Sequence, residues 1–411
     1  MFYKLRIPFA DNHSVITRKV NDMKIAMIGH KRIPSREGGI EIVVENLSVR
    51  MVNAGHTVHS YNRKGHHVSG KEFDKNETIN LNEYKGIKIY NIYSPKNKIV
   101  NAFLSSYLAT FGTLFRQYDC IHYHAEGPCA TLWLPHLFGI RTVATIHGLD
   151  WQRAKWNGFA TMYLKFGEKV AVKYADEIIV LSKNAQKYFM DTYGRETQMI
   201  PNGIEKPTVL GNAYIENKWG LKKDDYILFL GRLVPEKGLY YLIDAFLQIN
   251  TTKKLVIAGG SSHTDGFVSD IKMKTQNDDR IIFTDFVQDE SLGELYSNAY
   301  IYVLPSDLEG MPIGLLEAMS YGNCCVVSDI PECVEVVEDK AVTFQKGNTA
   351  DLKNKLEWLI QNKEVVSKYK ESASEFICNK YNWDSVTLKT LHLYQKHNKH
   401  LKKKSESGEI G

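Results

Sequence analysis

Short apolar runs recur along this chain at intervals that leave room for one amphipathic helix between neighbours. The first is Lys24-Ile25-Ala26-Met27-Ile28-Gly29, and others follow at 57–61, 120–123, 141–146 and 177–181. Runs of this length, bounded by turn residues, read as buried strands, and helix-length stretches such as 40–54 and 162–175 lie between them. In the first of these, Ile40, Val43, Val44, Leu47 and Met51 share one face, and Gly55 follows where a C-terminal cap belongs. The alternation predicts parallel βαβ units. A second series opens at Tyr226-Ile227-Leu228-Phe229-Leu230-Gly231 and continues at 254–258, 280–284, 300–304 and 324–328, so the architecture restarts. The turn-rich, polar span from Pro201-Asn202-Gly203 to Asp225 reads as the connection. The pattern therefore predicts an α/β chain of two Rossmann-like, doubly wound parallel-sheet domains, 23–203 and 204–380, facing a central cleft.

The length of 411 residues suits two cores better than one. Hydrophobic residues make up 43% and charged residues 24%, a globular composition. A net charge of +5 favours anionic ligands but falls short of a nucleic-acid-binding signature. Six scattered cysteines lack zinc-site or disulfide-framework spacing, so a reducing cytoplasm is the expected location. No apolar stretch approaches the ~20 residues of a membrane span, and no signal peptide is recognisable. Residues 1–22 lack periodicity and read as an extension, with Met23 an alternative start; 401–411 read as a disordered, solvated tail.

The segment carrying most chemistry runs from Leu304 to Met319. A buried strand ends in a loop with Glu309 and Gly310, and Pro312 stands where a helix begins. The amides of Gly314, Leu315 and Leu316 are then expected to be free donors at a positive helix end, suited to phosphate. Glu317, just inside that helix, suits the paired hydroxyls of a ribose; the alternative is a solvated first-turn glutamate. After the first strand of the second series come Arg232 and Lys237, two cations placed to neutralise a departing diphosphate, or else surface residues of a basic protein. Glu236 is an alternative partner that simply holds Lys237. No two aspartates are separated by a single residue, so a metal-binding Asp-x-Asp pair is missing and no metal or other cofactor is expected.

In the first domain, Gly38 and Gly39 precede the helix from Ile40, after a loop with Lys31, Arg32 and Arg36, an acceptor or phosphate loop. It is not the Gly-x-Gly-x-x-Gly fingerprint, which argues against a nicotinamide enzyme. His147 ends a strand at the cleft and is read either as catalytic or as structural. His122 and His124 share a face, His147 is expected to be offset from them, and no metal site is predicted. The stretch 151–173 combines Trp151, Trp156, Phe159, Tyr163 and Phe166 with Arg153, Lys155, Lys165, Lys169 and Lys173, which predicts either contact with an anionic membrane or core packing with a solvated basic edge.

Together these segments resemble the retaining glycosyltransferases of family 4 (group 1), which have the GT-B fold, over about 23–395. Glu309 and Glu317 reproduce the Glu-x7-Glu motif, and Gly231-Arg232-Leu233 with Glu236-Lys237-Gly238 matches a second hallmark. Gly38-Gly39-Ile40-Glu41, Gly55-His56, Thr145-Ile146-His147-Gly148 and Ile200-Pro201-Asn202-Gly203-Ile204 agree in order. The resemblance implies that the second domain binds a nucleotide sugar and the first presents a glycan or lipid-linked acceptor. By motif, Glu317 is the ribose ligand, Glu309 a donor-sugar ligand, Gly310 and Met311 part of the donor site, Arg232 with Lys237 the diphosphate clamp, and His147 a residue near the transferred sugar. It also implies a crossover helix within 381–400 and front-face transfer with retention. The opening Ile28-Gly29-His30-Lys31-Arg32-Ile33-Pro34 is similar to bacterial rhamnosyltransferases that build polysaccharides, implying cell-surface polysaccharide synthesis, and the 151–173 stretch implies work in the cytoplasm at the inner face of the plasma membrane. A GT-B sugar-nucleotide 2-epimerase and a non-catalytic nucleotide-sugar-binding protein are the competing readings.

Overall fold

A computed structural model describes residues 22–65, 81–96, 98–152, 158–261 and 264–395. The expected extension before residue 22, the tail, the end of the crossover segment (396–400) and Arg153, Lys155 and Trp156 lie outside the described residues.

The first sheet contains β1 (Lys24–Ile28), β2 (Thr57–Arg63), β3 (Glu83–Tyr84), β4 (Ile87–Ile92), β5 (Cys120–His124), β6 (Arg141–Ile146), β7 (Glu177–Val180) and β8 (Gln198–Met199). Their order is β3-β4-β2-β1-β5-β6-β7-β8, with only β3 antiparallel to its neighbour. The second contains β9 (Tyr226–Leu230), β10 (Lys254–Ala258), β11 (Ile281–Asp285), β12 (Ile301–Leu304), β13 (Cys324–Ser328) and β14 (Val342–Phe344) in the order β11-β10-β9-β12-β13-β14, all parallel. β3, β4, β8 and β14 are absent from the sequence-based reading, β3 spanning two partly exposed residues. β4 is partly exposed, and β8 and β14 span two and three residues, so none makes a long apolar run.

Both sheets are covered on both faces, which is why their strands read as continuous apolar runs. In β1, Ile25 and Met27 enter one core cluster while Ala26 and Ile28 enter the other. In β9, Tyr226 and Leu228 face one layer, and Ile227 and Phe229 the opposite one. Strand order reverses between β1 and β5 and again between β9 and β12, and the loops after those strands flank the crevices where such sheets bind ligands.

The chain passes between domains twice at one place. Ile204 N–H donates to Tyr381 O at 2.6 Å, and a Cβ on Gly203 would lie 2.4 Å from the Trp383 ring. The helix Trp383–Gln395 then packs Trp383, Val386, Leu391 and Leu393 into the first domain's core, and Arg141 Nε donates to Leu393 O at 2.8 Å. Within the connecting span, the helix Ala213–Trp219 belongs to the second body, because Ile215 N–H donates to Glu294 there at 3.0 Å.

Candidate active site

At the switch point of the second sheet, the turn after β9 meets the loop after β12. Gly238 makes this approach possible: its φ is 67° and a Cβ would sit 1.9 Å from Pro305 O. Lys237 Nζ consequently donates to Glu309 Oε1 at 2.5 Å, and Ser306 Oγ donates to the same oxygen at 2.6 Å. The lysine is 14% and the glutamate 8% exposed, so the pair is largely shielded from water. Glu236, offered as the lysine's partner, does not take that role. Arg232 leaves the end of β9 half-buried.

The helix that follows is Ile313–Ser320, with Pro312 as its cap rather than its first residue. Leu315 and Leu316 N–H donate to Pro312 O at 3.0 and 3.2 Å, and both side chains are fully buried. The expectation of free donors there is thereby corrected: of the three residues named, only Gly314 remains, packed against the end of β9 with Leu230 O 3.4 Å from its would-be Cβ. Met311 points inward, its sulfur 3.0 Å from Asn202 N–H at the domain connection. Glu317 is the helix's fifth residue and is not a solvated first-turn acid. Arg36 Nη1 donates to its Oε1 at 3.0 Å from the opposite domain, and Tyr296 OH to its Oε2 at 3.3 Å. Burial pushes its carboxyl above the usual range, while Arg36 and Tyr296 pull the other way.

On the opposite wall, Gly38 caps the helix Gly39–Asn53, and a Cβ on Gly39 would lie 3.1 Å from Ile313. The cations of this loop are engaged. Lys31 pairs with Glu37, Arg32 Nη2 donates to Gly65 O at 2.7 Å, and Arg36 reaches Glu317. Glu41, buried in the first turn, accepts from Lys31 N–H at 2.9 Å, so a carboxylate already sits at this helix's positive end.

His147 is not offset from the other histidines: its Nε2 lies 3.0 Å from His124 Nδ1. The His124 ring lies tilted against His122 with centroids 4.1 Å apart, and His122 is held by Tyr394 at 2.6 Å and Thr145 at 2.7 Å. Burial lowers His30 to about 4 and His122 to about 3, and pushes His124 well down, so these three rings are neutral at pH 7. Among the described residues no group of three His, Cys, Asp or Glu is arranged to hold a metal. The His147 carbonyl meets Gly310, and a cavity of about 160 Å³ beside them is lined by His147, Leu149, Gln152, Glu309 and Lys346.

Sequence reasoning missed Tyr296, Ser306, His124's link to His147, and Glu126. Ser306 stands three residues before Glu309 and was findable; Tyr296 carries no local signal. Glu126, just past β5, is fully buried, and burial followed by the charges of Asp150 and Glu168 pushes its carboxyl up to about 10. Glu168 instead accepts from Trp151, Tyr188 and Tyr193. Glu126 therefore keeps its proton while an unfolded glutamate releases it near 4.5. The folded chain binds the extra proton between those values, and stability falls as pH rises through that window. Glu126→Gln is expected to raise the melting temperature at pH 8 and flatten its pH dependence between pH 5 and 9. A variant that melts below the parent at pH 8 rules this out.

Comparison with known proteins bears on the family and the fold. A family model described as glycosyl transferases group 1 matches residues 213–376, and one described as glycosyltransferase family 4 matches 37–206. An uncharacterized glycosyltransferase of Methanocaldococcus jannaschii is 25% identical over 91% of this chain and 98% of its own. An Escherichia coli UDP-Gal:alpha-D-GlcNAc-diphosphoundecaprenol alpha-1,3-galactosyltransferase is 27% identical over 52% of this chain and 58% of its own. In fold, sucrose-phosphate synthase from Thermosynechococcus elongatus superposes with a TM-score of 0.78 at 21% identity, covering 91% of this chain and 98% of that one. Anabaena HepE in complex with UDP-glucose superposes at 0.74 and 17% identity, covering 90% and 98%.

Proposed function

The chain belongs to the group 1, family 4 glycosyltransferases and has the GT-B fold, and from that premise we propose that it moves a sugar from a nucleotide diphosphate donor to a glycan or lipid-linked acceptor, with retention and without a divalent metal. The observation that carries the reading is the shielded Lys237–Glu309 pair at the β9/β12 switch point, set against the His147 backbone of the other domain. Lys237 and Arg232 counter charge on the leaving diphosphate, Glu309 and His147 contact the transferred sugar, and Glu317 receives the ribose. In the first domain the carboxyl after β5, Glu126, is protonated at neutral pH and a poor nucleophile. This favours front-face transfer, in which the leaving phosphate accepts the acceptor's proton. Similarity to a galactosyltransferase named for a diphosphoundecaprenol substrate supports a lipid-linked acceptor in polysaccharide synthesis, met at the inner face of a membrane.

A thermal-shift panel of nucleotide diphosphates, with UDP first, tests donor binding; a ligand at 100 times its Kd adds about 2.7 kcal/mol. Glu317→Ala is expected to raise the donor KM with little change in kcat, and Glu309→Ala to lower kcat more than it raises KM. Parental constants in both variants would overturn the assignment.

A further inference from the structure

The helix Lys98–Leu114 is amphipathic in the inverted sense. Its inner face is Asn101, Ser105, Ser106, Thr110 and Thr113, each at most 5% exposed. The hydroxyls are satisfied locally: Thr110 Oγ1 lies 3.0 Å from Tyr123 OH and 2.7 Å from Thr131 Oγ1, and Ser106 donates to Ala102 O at 2.8 Å. Its outer face is apolar: Phe103, Leu108 and Phe111 are exposed, and Phe115 just beyond the helix is 72% exposed. A surface helix of a water-soluble domain ordinarily has the opposite arrangement.

The apolar face continues onto the helix Gly158–Tyr174, joined to it where the Phe103 ring meets Tyr163 at 5.4 Å. There Phe159, Met162 and Phe166 are exposed beside Lys165, Lys169 and Lys173, which recur every four residues along one edge. Neither helix exposes an acid: the first has none, and the sole acid of the second, Glu168, is buried. Of the aromatics expected to form this region, Trp151 turns inward instead, donating to Glu168 at 3.1 Å. Among the described residues no helix is long and apolar enough to cross a membrane.

We propose that these two helices form a docking surface for an anionic lipid bilayer, the phenyl and alkyl groups entering the headgroup boundary and the lysines pairing with lipid phosphates. Charge complementarity selects this occupant. Among the described residues of these two helices the exposed cations are lysines and no acid is exposed, which suits an anionic plane, whereas protein interfaces are depleted in lysine. The lysine stems reach past the apolar strip to set their ammonium groups at headgroup level.

Co-sedimentation of the full chain with phosphatidylcholine vesicles, with and without phosphatidylglycerol, tests the proposal. Pelleting with the anionic vesicles, weakened by salt, is expected. Lys169→Ala or Lys173→Ala should each lower the partition about five-fold, and the pair Phe111→Ser and Phe115→Ser ~10-fold or more. All of these variants should bind UDP as the parent does, so failure here is distinct from failure of the donor reading. Equal recovery with neutral and anionic vesicles overturns the proposal. So does a dimer in light scattering that the double serine variant converts to a monomer, since the face would then cover a second copy.

Discussion

Gly310→Ala is expected to lower kcat by about 10² while leaving the melting temperature and nucleotide binding near parental values. A Cβ at this position would lie 1.7 Å from His147 O, 2.7 Å from His147 C and 3.0 Å from Gly148 Cα. All three are backbone atoms of the opposite domain, so no rotamer change relieves the clash; the domains must separate. Gly310 is not among the glycines with positive φ, so alanine strains nothing within its own loop. The damage is confined to closure. Misplacing reacting groups by an ångström is enough for a loss of this size. Gly266→Ala is the natural control, because nothing lies within 4 Å of the Cβ it would carry. Steady-state kinetics on both variants decide the matter: parental kcat in Gly310→Ala means the cleft does not need this contact for turnover.

Lys237→Ala and Arg232→Ala should each reduce kcat by about 10² to 10³, and excess EDTA should leave the initial rate of the parent unchanged. Charge develops on the diphosphate as the sugar leaves, and it must be met by groups already in place. Lys237 sits within a shielded pair at a strand end, and no Asp-x-Asp motif is present to hold magnesium or manganese. Removing the lysine also takes the cation from the largely buried Glu309, and breaking such a buried pair costs about 3–5 kcal/mol of stability. Rates therefore belong well below the variant's melting temperature, and Lys237→Ala combined with Glu309→Gln separates lost charge from lost fold. Arg232→Ala carries the same kinetic expectation without that pair. If chelation abolishes activity and manganese restores it, the cations are not the charge stabilisers.

Much of the cleft was legible from local pattern. Strands buried on both faces write themselves as apolar runs, so β1, β2, β5 to β7 and β9 to β13 could be placed, and the restart at Tyr226 exposed the second domain. Glu309, Glu317, Arg232 and Lys237 were recognisable because short-range spacing and strand ends announce them. The use of each was not. Whether Lys237 pairs with Glu236 or Glu309 depends on Gly238 bringing two loops together across a strand-order reversal.

By itself, then, the sequence determined the central parallel strands of both sheets and the loops at their carboxyl ends, since hydrophobic period and turn residues act over a few positions. Tertiary structure alone decided which side chains meet: Arg36 with Glu317 across 281 positions, His124 with His147, Gly310 against the His147 backbone. It also decided which face of Lys98–Leu114 points outward. The periodicity of that helix marks two faces, and only its packing, with serine and threonine hydroxyls satisfied inside, tells which one meets the surroundings. Contacts between distant segments follow from chain topology and from glycines that admit close approach, and neither acts within a window that local pattern can read.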